Sequence, residues 1–399
     1  MCGIYGFTNN KEKNFDKELI IKNMMKASSY RGPDNTSSFI NDKVSLGHNR
    51  LSIIDLSSKA NQPFHDLENN LTIVFNGEIY NYEKLRKELA LKYTFHTNSD
   101  TEVLLKSYLE WGSECLNKLD GMFCFVIWNK QKDELFIARD YFGEKPLFYY
   151  FFGEQKNQNI VFASDLNSLA KGPYFNNQVS IENLTGYVHN NYFFDDKTIY
   201  KKVFKFPKGC FGIFKNNELI ISSYANQKNK LQNTRVDFEY LEHLILDSVK
   251  SRMVSDVSVG VFLSGGLDSS LIAYYASKIN KNINTYTLGF EDKSFDETSK
   301  AKKISKFLNL QNQSYKLKND DIDNLENIVN NLGEPLADSS IIPTFYLSKF
   351  ARSSSKVCLS GDGGDEMFFG YTTYNASKLH KFISSYGLTK LFSISNNFI

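Results

Sequence analysis

The first half of the chain alternates short apolar runs with turn residues. These runs are rich in β-branched and aromatic residues and are bounded by Gly, Asn or Asp, which is typical of β-strands. The predicted strands are VSLGHNRLSII, NLTIVFNGEIY, GMFCFVIWN, ELFIARD, PLFYYFF, NIVFASD and CFGIFKNNELIIS. Two amphipathic segments, NYEKLRKELALK and SDTEVLLKSYLEWG, are predicted to form helices between them. Many strands with few helices predict packed sheets that are covered by helices.

The pattern changes after a polar, aperiodic stretch at 225–235, which we interpret as a linker. Beyond it, helical and strand-like segments alternate. The predicted helices are FEYLEHLILDSVKSRM, SSLIAYYASKI, ETSKAKKISKFLN and TFYLSKFARS, and the predicted strands are VSVGVFL, INTYTLGF and KVCLS. This alternation indicates an α/β domain built on a doubly wound parallel sheet. We therefore predict two domains of different class, at 2–224 and 236–399.

Composition and charge exclude only a few classes of protein and of partner. Hydrophobic residues make up 41% and charged residues 23% of the chain, as in globular proteins. The net charge of +2 gives no basic field, so neither nucleic acid nor a membrane is expected as a partner. No secretory leader or membrane-spanning run is recognisable, so we expect a cytoplasmic protein. The cysteines are scattered without CxxC spacing, which argues against a disulfide framework and a zinc site.

The chain begins MCGIYGF, which places a thiol directly before a predicted strand. The initiator Met is commonly removed when the next residue is small, and Cys2 would then be the N-terminal residue. A free α-amine, with a pKa near ~8, can take the proton of a neighbouring thiol without a His partner. The alternative interpretation is that Cys2 is only a small second residue.

Three further segments could serve a thiol that cleaves an amide. In HNRLSIIDL, Arg50 is predicted at the head of an apolar strand, where a cation needs an anion. In VFNGEIYNY, Asn76 and Gly77 end a strand, where a side-chain amide and a backbone N–H could form an oxyanion hole. In TNSDTE, Asp100 lies at the start of a helix, and a capping role is its alternative. Ser99 and Glu102 have the spacing of a capping box.

Seven motifs, in this order along the chain, closely resemble those of one protein family. They are MCGIYGF, RGPD, HNRLSIIDL, NGEIYNY, SDTEVLL, GMFCFVIWN and ARDYFGEKPLFYY. This is the glutaminase domain of glutamine-dependent asparagine synthetases, which are class II glutamine amidotransferases. The resemblance covers residues 1 to about 210. It implies an α+β N-terminal-nucleophile hydrolase fold, with antiparallel sheets sandwiched together and covered by helices.

The same resemblance implies a role for each matching residue. Cys2 would be the nucleophile, and Asn76 and Gly77 would stabilise the tetrahedral oxyanion. Arg50 would bind the α-carboxylate of glutamine and Asp100 its α-amine, since each substrate charge requires an opposite partner. The other glutamine-binding positions implied are Leu51, Ser52, Ile53, Ile54 and Glu78.

The segment VSVGVFLSGGLDSSLIAYY combines a strand, a glycine-rich turn and a helix. The small residues Ser264, Gly265 and Gly266 let backbone N–H groups approach an anion, and Ser269 and Ser270 open the helix, whose N-terminus favours negative charge. The loop lacks the Gly-Lys-Ser/Thr of a Walker A motif. Its acidic residue, Asp268, makes sense beside phosphate if Mg²⁺ lies between them.

SGGLDSS resembles the pyrophosphate loop of ATP pyrophosphatases. The synthetase family then implies nucleotide contacts at further positions, which are Leu263, Leu288, Ser360 and Gly361. It also implies that Asp362 lies near the reacting groups, that Asp365 joins Asp268 at the metal, and that GEPLADSS (333–340) belongs to the active site. Many family members have Glu where this chain has Asp362, which leaves the acid or base at that position open.

Together the resemblances imply a glutamine-dependent amide ligase. Glutamine hydrolysis at Cys2 would send ammonia through an internal tunnel to an acyl-adenylate made from ATP and aspartate, giving asparagine, AMP and pyrophosphate. Mg²⁺ would accompany the bound ATP, and the chain could pair with a second copy of itself as a homodimer.

The family's synthetase domain continues well beyond GDGGDE, so the C-terminal domain is expected to be incomplete. Two alternatives stay open. One is an acceptor other than aspartate, such as a sugar acid, and the other is a truncated chain that only hydrolyses glutamine or binds nucleotide.

Overall fold

The computed structural model describes residues 1–9, 15–154, 157–225, 237–318 and 325–385. Residues 226–235 of the predicted linker lie outside these ranges. Contacts divide the chain into two compact units, which we call the first unit (Met1–Ser258 with Lys318–Ser348) and the second unit (Val259–Leu317 with Lys349–Ile399). No helix in the described ranges is both long enough and apolar enough to cross a membrane.

Antiparallel strands form the centre of the first unit. These strands are β1 (Gly3–Thr8), β2 (Asn35–Ile40), β3 (Val44–Arg50), β4 (Phe64–Asp66), β5 (Leu71–Ile79), β6 (Gly121–Asn129), β7 (Glu134–Arg139), β8 (Phe148–Phe152), β9 (Asn159–Ala163), β10 (Val203–Lys205), β11 (Cys210–Lys215) and β12 (Glu218–Ser223). They make two six-stranded sheets. The first has the order β10-β8-β9-β1-β3-β2 and the second the order β12-β11-β7-β6-β5-β4. In the first sheet β1 pairs with β3 so that Gly3 lies opposite Asn49.

Strand alternation sorts the side chains of the first unit into layers. Ile4 of β1 packs between the two sheets with Val74 of β5, whereas Tyr5 and Phe7 face the other way, toward helices. Phe75 of β5 likewise faces helices on the outer side of the second sheet. The unit is therefore a sandwich of two antiparallel sheets with helices outside, as the sequence predicts.

The helices of the first unit include one that the sequence analysis assigned to the C-terminal domain. They are α1 (Lys17–Ala27), α2 (Tyr82–Leu89), α3 (Asp100–Trp111), α4 (Leu166–Leu169), α5 (Ile181–Asn190) and α6 (Phe238–Arg252), with 3₁₀ turns at Ser29–Arg31, Ser58–Ala60 and Gly112–Asn117. The contacts of α6 group it with the first unit. The domain bounds 2–224 and 236–399 stay a prediction.

The second unit is built on a parallel sheet. Its strands are β13 (Val259–Phe262), β14 (Asn284–Gly289), β15 (Gln311–Lys316) and β16 (Val357–Leu359). The remaining helices in the described ranges are α7 (Leu267–Ile279), α8 (Thr298–Phe307), α9 (Leu325–Leu332), α10 (Ile341–Ala351), α11 (Gly364–Phe368) and α12 (Thr372–Ser385). Of these, α9 groups with the first unit and α10 spans the division. The parallel strand order β15-β14-β13-β16 confirms the predicted α/β class.

Chain direction across this sheet reverses beside β13. From β13 the chain moves to β14 on one side and later to β16 on the other. In open α/β sheets such a switch point leaves a crevice at the carboxyl ends of the two strands, and ligands bind there. Here the segments that follow β13 and β16 are SGGLDSS and SGDGGDE. The topology thus brings two separately recognised motifs to one edge of the sheet.

Candidate functional site

The thiol of Cys2 lies at the end of a central strand. Cys2 directly precedes β1, and the backbone N–H of Leu51 donates a hydrogen bond to its Sγ at 3.3 Å. Burial raises the pKa of this thiol, and the Leu51 N–H, the chain's amino group and Arg50 oppose the rise. A raised pKa keeps the thiol protonated at neutral pH, so it needs a base to become a nucleophile.

The glycine after the thiol is required by a neighbouring hydroxyl. A Cβ at Gly3 would overlap the hydroxyl of Tyr5, which is fully buried. The Asn49 side-chain amide donates a hydrogen bond to that hydroxyl at 3.1 Å and fixes its position. The CGIY sequence therefore places the thiol where only glycine can follow.

The structure corrects one prediction, because Arg50 is the last residue of β3 and does not head an apolar strand. Residues 51–57 form a loop in which Asp55 has a φ of 52°. The buried Arg50 guanidinium donates to the Ile54 carbonyl at 3.3 Å, the Ser57 carbonyl at 2.9 Å and the Asn61 side chain at 2.8 Å, and also to the Asp55 carbonyl. These hydrogen bonds turn the carbonyls of the loop toward Arg50 rather than toward a neighbouring strand.

Two more residues, Asp256 and Asp34, hold the same loop by its backbone. Asp256 donates its N–H to the Ile53 carbonyl at 3.0 Å, and its carboxylate accepts from the Asp55 N–H at 2.7 Å. The Ser52 N–H donates to Asp34, in the RGPD motif, at 2.8 Å. These hydrogen bonds hold one loop beside the thiol. It contains the predicted glutamine-binding residues Leu51, Ser52, Ile53 and Ile54.

The end of β5 presents two polar side chains toward the first sheet. Asn76 and Glu78 alternate with residues that face helices, so they share the face of Val74, which packs between the sheets. Asn76 is 1% exposed, and its Nδ2 has no hydrogen-bond partner in the described part of the chain. Such an unpaired buried donor is rare and indicates a role beyond folding.

Gly77 contributes a backbone donor at the same strand end. The N–H groups of Phe75 and Ile79 donate to the side chains of Gln62, at 2.6 Å, and Asp100, at 3.1 Å. Every second N–H group of a strand points to the same edge. The Gly77 N–H therefore points to the edge where the Phe75 and Ile79 N–H groups lie. A Cβ at Gly77 would overlap the Met122 carbonyl of the adjacent strand.

Asp100 begins α3 but does not cap it. Ser99 is the N-cap and its side chain accepts from the Glu102 N–H, as predicted, but the Glu102 carboxylate accepts from the His96 and Thr97 N–H groups rather than from Ser99, so only half of the capping box forms. The Asp100 carboxylate instead accepts from the Ile79 N–H, and burial raises the pKa of Asp100 to about 6, with Arg50 opposing the rise. Burial, and after it the negative charge of Asp100, raises the pKa of Glu78 to about 7.

Arg31, which the sequence analysis did not single out, also contacts the thiol residue. Its Nε donates to the Cys2 carbonyl at 3.1 Å, and its Nη2 is buried without a partner among the described residues. The signal in the sequence was an Arg directly before Gly-Pro in the RGPD motif. A glycine is required there, since a Cβ at Gly32 would overlap the Asn49 backbone.

In the second unit, the turn after β13 has the form of an anion-binding loop. Gly265 has a φ of 85°, and a Cβ there would lie 2.7 Å from the Ala301 N. The Ser264 hydroxyl accepts from the Gly266 N–H at 3.2 Å and lies 2.9 Å from the Ser269 hydroxyl. The Ser270 hydroxyl is buried without a partner among the described residues. These residues open α7, whose N-terminus attracts negative charge.

The two motifs of the second unit pack against each other. A Cβ at Gly361 would lie 2.9 Å from Asp268 Cβ, and one at Gly364 would lie 2.6 Å from Asp268 Cγ. The Asp268 carboxylate therefore rests on the GDGGDE loop, where the Ser360 hydroxyl donates to Asp362 at 3.0 Å. Leu263 directly follows β13 and Leu288 lies on the adjacent β14, and the Leu263 N–H donates to the Tyr286 carbonyl at 2.8 Å.

No group of three or more metal-ligating side chains occurs within the described residues. The predicted metal residues Asp268 and Asp365 are therefore not part of a complete set of protein ligands in the described ranges. Mg²⁺ is commonly held by one or two carboxylates together with phosphate oxygens, so Asp268, which lies where the two loops meet, fits such a site. Asp365 Oδ1 lies over Gly370, where a Cβ would overlap it.

Two residues of the GEPLADSS segment have contacts in the first unit. Gly333 has a φ of 77° and packs against Leu166 of α4. Glu334 forms an ion pair with Lys205 at 2.9 Å, and its Oε2 is buried without another partner in the described part of the chain. The predicted active-site role of this segment stays a prediction.

Comparison with known proteins identifies the class of both parts of the chain. Residues 1–225 match the family model described as a glutamine amidotransferase domain, and residues 240–391 match the one described as asparagine synthase. A solved glutamine phosphoribosylpyrophosphate amidotransferase from Bacillus subtilis aligns at 14% identity and a TM-score of 0.41, covering 78% of this chain and 65% of that one.

Similar sequences carry the identification further. Glutamine-hydrolysing asparagine synthetase 1 of Bacillus subtilis is 38% identical over 94% of this chain and 59% of its own length. A relative from Methanocaldococcus jannaschii, whose name also describes a glutamine-hydrolysing asparagine synthetase, is 35% identical over 94% of this chain and 76% of its own. The chain belongs to the family of glutamine-hydrolysing asparagine synthetases. It spans about three fifths of the length of the Bacillus relative.

Proposed function

We propose that the first unit hydrolyses glutamine at Cys2. The observation that carries this proposal is the buried, unpaired Nδ2 of Asn76, which lies beside the outward-pointing Gly77 N–H at the end of β5. Two such donors can stabilise the negative oxygen that forms when a nucleophile attacks an amide carbonyl.

The reaction needs a base, a nucleophile and a leaving group that takes up a proton. With Met1 removed, the α-amine of Cys2 would take the thiol proton, and the sulfur would attack the side-chain carbonyl carbon of glutamine. The same proton would pass to the amide nitrogen, which leaves as ammonia when the C–N bond breaks. Water would then hydrolyse the glutamyl thioester, releasing glutamate and the thiol.

The glutamine binding proposed for Arg50 and Asp100 rests on charge. Arg50 and Asp100 both contribute to the electrostatic surroundings of the Cys2 thiol and to those of each other, so the three groups lie in one site. A buried cation and a buried anion near one thiol suit an amino acid that carries both charges. Arg50 also holds the loop 51–57, so its substrate role adds to a structural one.

For the second unit we propose ATP-dependent activation of a carboxylate. The SGGLDSS loop at the switch point of a parallel sheet supports the binding of ATP phosphates, with Ser264, Gly265, Gly266, Ser269 and Ser270 around them and Asp268 and Asp365 toward Mg²⁺. Bound Mg²⁺ would neutralise phosphate charge. The names of the relatives support aspartate as the carboxylate that ATP activates, and ammonia from glutamine as the group that displaces AMP to give asparagine.

Substitution of Cys2 tests the glutaminase proposal. Cys2→Ala should reduce glutamine hydrolysis by the 399-residue chain to background, while any synthesis from free ammonia is retained. Cys210→Ala, which removes another half-buried free thiol, is the matched control and should behave as the wild type. Intact-mass measurement should show that Met1 is absent. Glutamate release by Cys2→Ala at the wild-type rate would overturn the proposal.

A further inference from the structure

The thiol and the oxyanion donors proposed for it lie on different sheets of the first unit. Cys2 precedes β1, an inner strand of the first sheet, and the Leu51 N–H that binds its Sγ follows β3, which is paired with β1. Asn76 and Gly77 lie on β5 of the second sheet. Attack on an amide carbonyl requires reacting groups to be held about 3–3.5 Å apart, so the spacing of the two sheets has to be fixed at this level.

His48 of β3 forms a hydrogen bond that joins the two sheets. Leu46 of the same strand packs in the layer between the sheets, and His48, two residues further on, faces the same way. The His48 Nε2 lies 3.0 Å from the Phe75 carbonyl oxygen of β5. His48 is fully buried and lies opposite Ile4, two residues after the thiol. One side chain therefore ties the strand beside the thiol to the strand that carries Asn76.

The acceptor decides which nitrogen of the His48 ring carries the proton. A carbonyl oxygen only accepts, so Nε2 carries the hydrogen. Nδ1 is buried without a partner among the described residues. Burial also lowers the pKa of His48 to about 3, so the ring is neutral at neutral pH and is a poor base. The imidazole therefore acts on the site by holding the Phe75 carbonyl.

The peptide group that His48 binds leads directly into the oxyanion donors. The Phe75 carbonyl and the Asn76 N–H belong to one planar unit, so a bond to that carbonyl restrains the direction of the Asn76 side chain. The Phe75 N–H is bound as well, by the Gln62 side chain at 2.6 Å. Because the pairing of β4 with β5 ends at Ile73, these side chains take the place of a neighbouring strand.

We propose that His48 is a positioning residue for glutamine hydrolysis, whose bond to β5 sets the distance from the thiol to the oxyanion donors of Asn76 and Gly77. It acts through β5 and not by contact with glutamine. Loss of the bond should misplace the donors and leave the thiol and the charged glutamine-binding groups in place, so the effect should fall on kcat and not on KM. This inference rests on the proposed function of the first unit.

Three substitutions of His48 separate the hydrogen bond from the packing of the ring. His48→Gln carries its amide nitrogen about as far along the side chain as Nε2, so it keeps a donor for the Phe75 carbonyl. His48→Asn is equally polar, but its amide nitrogen lies near the position of Nδ1 and is too short to reach. His48→Leu has no donor.

Kinetics of glutamine hydrolysis tests the proposal. His48→Leu and His48→Asn should lower kcat about 10²-fold with KM within about twofold of wild type, since a displacement of about 1 Å can cost that much. His48→Gln should retain kcat within about fivefold. His65→Leu, which removes an exposed imidazole of β4, is the matched control and should behave as the wild type. An unchanged kcat in His48→Leu, or equal losses in His48→Gln and His48→Asn, would overturn the inference.

A double substitution tests whether His48 acts through the oxyanion donors. In an Asn76→Ala background, His48→Leu should lower kcat by less than about tenfold further, whereas independent effects would multiply and contradict the inference. Urea unfolding checks that each variant is folded. If His48→Leu does not fold, the comparison of His48→Gln with His48→Asn decides alone.

Alkylation of Cys2 separates a displaced oxyanion site from a displaced thiol. Iodoacetamide reacts with the thiol without forming an oxyanion, so His48→Asn should be alkylated at Cys2 at the wild-type rate, as followed by mass spectrometry of the N-terminal peptide. Slowed alkylation would show that the thiol itself has moved and would contradict the inference. Retained glutamine hydrolysis in Cys2→Ala would instead contradict the proposed function, so the two failures are distinguishable.

Discussion

At the scale of single residues, Asn76 combines two properties that folding alone does not favour together. It is almost fully buried, yet its Nδ2 donor has no acceptor in the described part of the chain. Leaving a buried donor unpaired costs about 1–3 kcal/mol, so an apolar residue there would make the fold more stable. The amide is best explained by a partner that is present only during the reaction.

Asn76→Ala should therefore separate catalysis from stability. Loss of one oxyanion donor should lower kcat for glutamine hydrolysis by about 10²–10³-fold with little change in KM. The same variant should unfold at a similar or higher denaturant concentration than the wild type, because the unpaired donor is gone. A variant with an unchanged kcat would show that Asn76 does not contact the transition state.

Asp100 gives a second prediction at this scale, through its pKa. Burial raises that pKa to about 6 from an unfolded value near ~3.9, so the folded state binds more protons between these two values. The stability that Asp100 contributes is full below pH ~3.9 and is lost as the pH rises through about 6. The loss amounts to about 3 kcal/mol for a shift of about two units.

Comparison with Asp100→Asn isolates this contribution. Both tryptophans, Trp111 and Trp128, lie in the first unit, so their fluorescence in urea reports the unfolding of that unit alone. The stability of wild type relative to Asp100→Asn should be greater at pH 4 than at pH 7. The same difference at both pH values would show that Asp100 has an ordinary pKa.

At the scale of elements, the loop 51–57 shows how distant segments build one side of the site. Its carbonyls bind Arg50, while Asp256, from the segment after α6, binds the Ile53 carbonyl and the Asp55 N–H. Substitution of Arg50 would disturb both this loop and the proposed carboxylate contact. Asp256 is the cleaner probe, because no substrate contact is proposed for it.

Asp256→Ala should raise the KM for glutamine about fivefold and change kcat less. The reason is that one lost hydrogen bond, worth about 1 kcal/mol, loosens the loop while Cys2 and Asn76 stay in place. Asp256→Asn keeps an acceptor of the same shape and should resemble the wild type. If Asp256→Ala and Asp256→Asn raise KM equally, the bond to Asp55 does not set the loop.

At the scale of the whole molecule, the residues of the two proposed reactions lie in separate compact units. The thiol, Asn76 and Asp100 belong to the first, and the SGGLDSS and GDGGDE loops belong to the second. In the second unit, Asp268 lies on the glycines of the GDGGDE loop, so one carboxylate touches both halves of the proposed nucleotide site. A change there should leave the fold of the first unit intact.

Asp268→Asn tests this separation. It keeps the shape of the side chain and removes the anionic ligand, so calorimetry should show weaker Mg²⁺-dependent ATP binding, with glutamine hydrolysis and tryptophan-detected unfolding unchanged. Asp292→Asn, at an exposed turn of the second unit, is the matched control. Equal affinity of wild type and Asp268→Asn for ATP with Mg²⁺ would refute the metal-bridging role.

The sequence by itself determined the two fold classes and most of the elements. The spacing of apolar residues and the positions of turn residues are features of short stretches of sequence. The strands of the sandwich and the helix–strand alternation after residue 236 could therefore be predicted. β15 was missed because its sequence, QNQSYK, is polar; it lies at the edge of its sheet. The motifs also named Cys2, Asn76, Asp100 and Asp268, since the residue types carry the chemistry.

The tertiary structure alone decided where the polar groups find partners. Arg50 ends its strand because its own guanidinium and the distant Asp256 bind the backbone that follows, which no local pattern encodes. The missing partner of Asn76 and the burial of His48 likewise depend on segments far away in sequence. Hydrophobic periodicity fixes which face is buried, whereas hydrogen bonding and burial of charge depend on contacts that form only when the chain has folded.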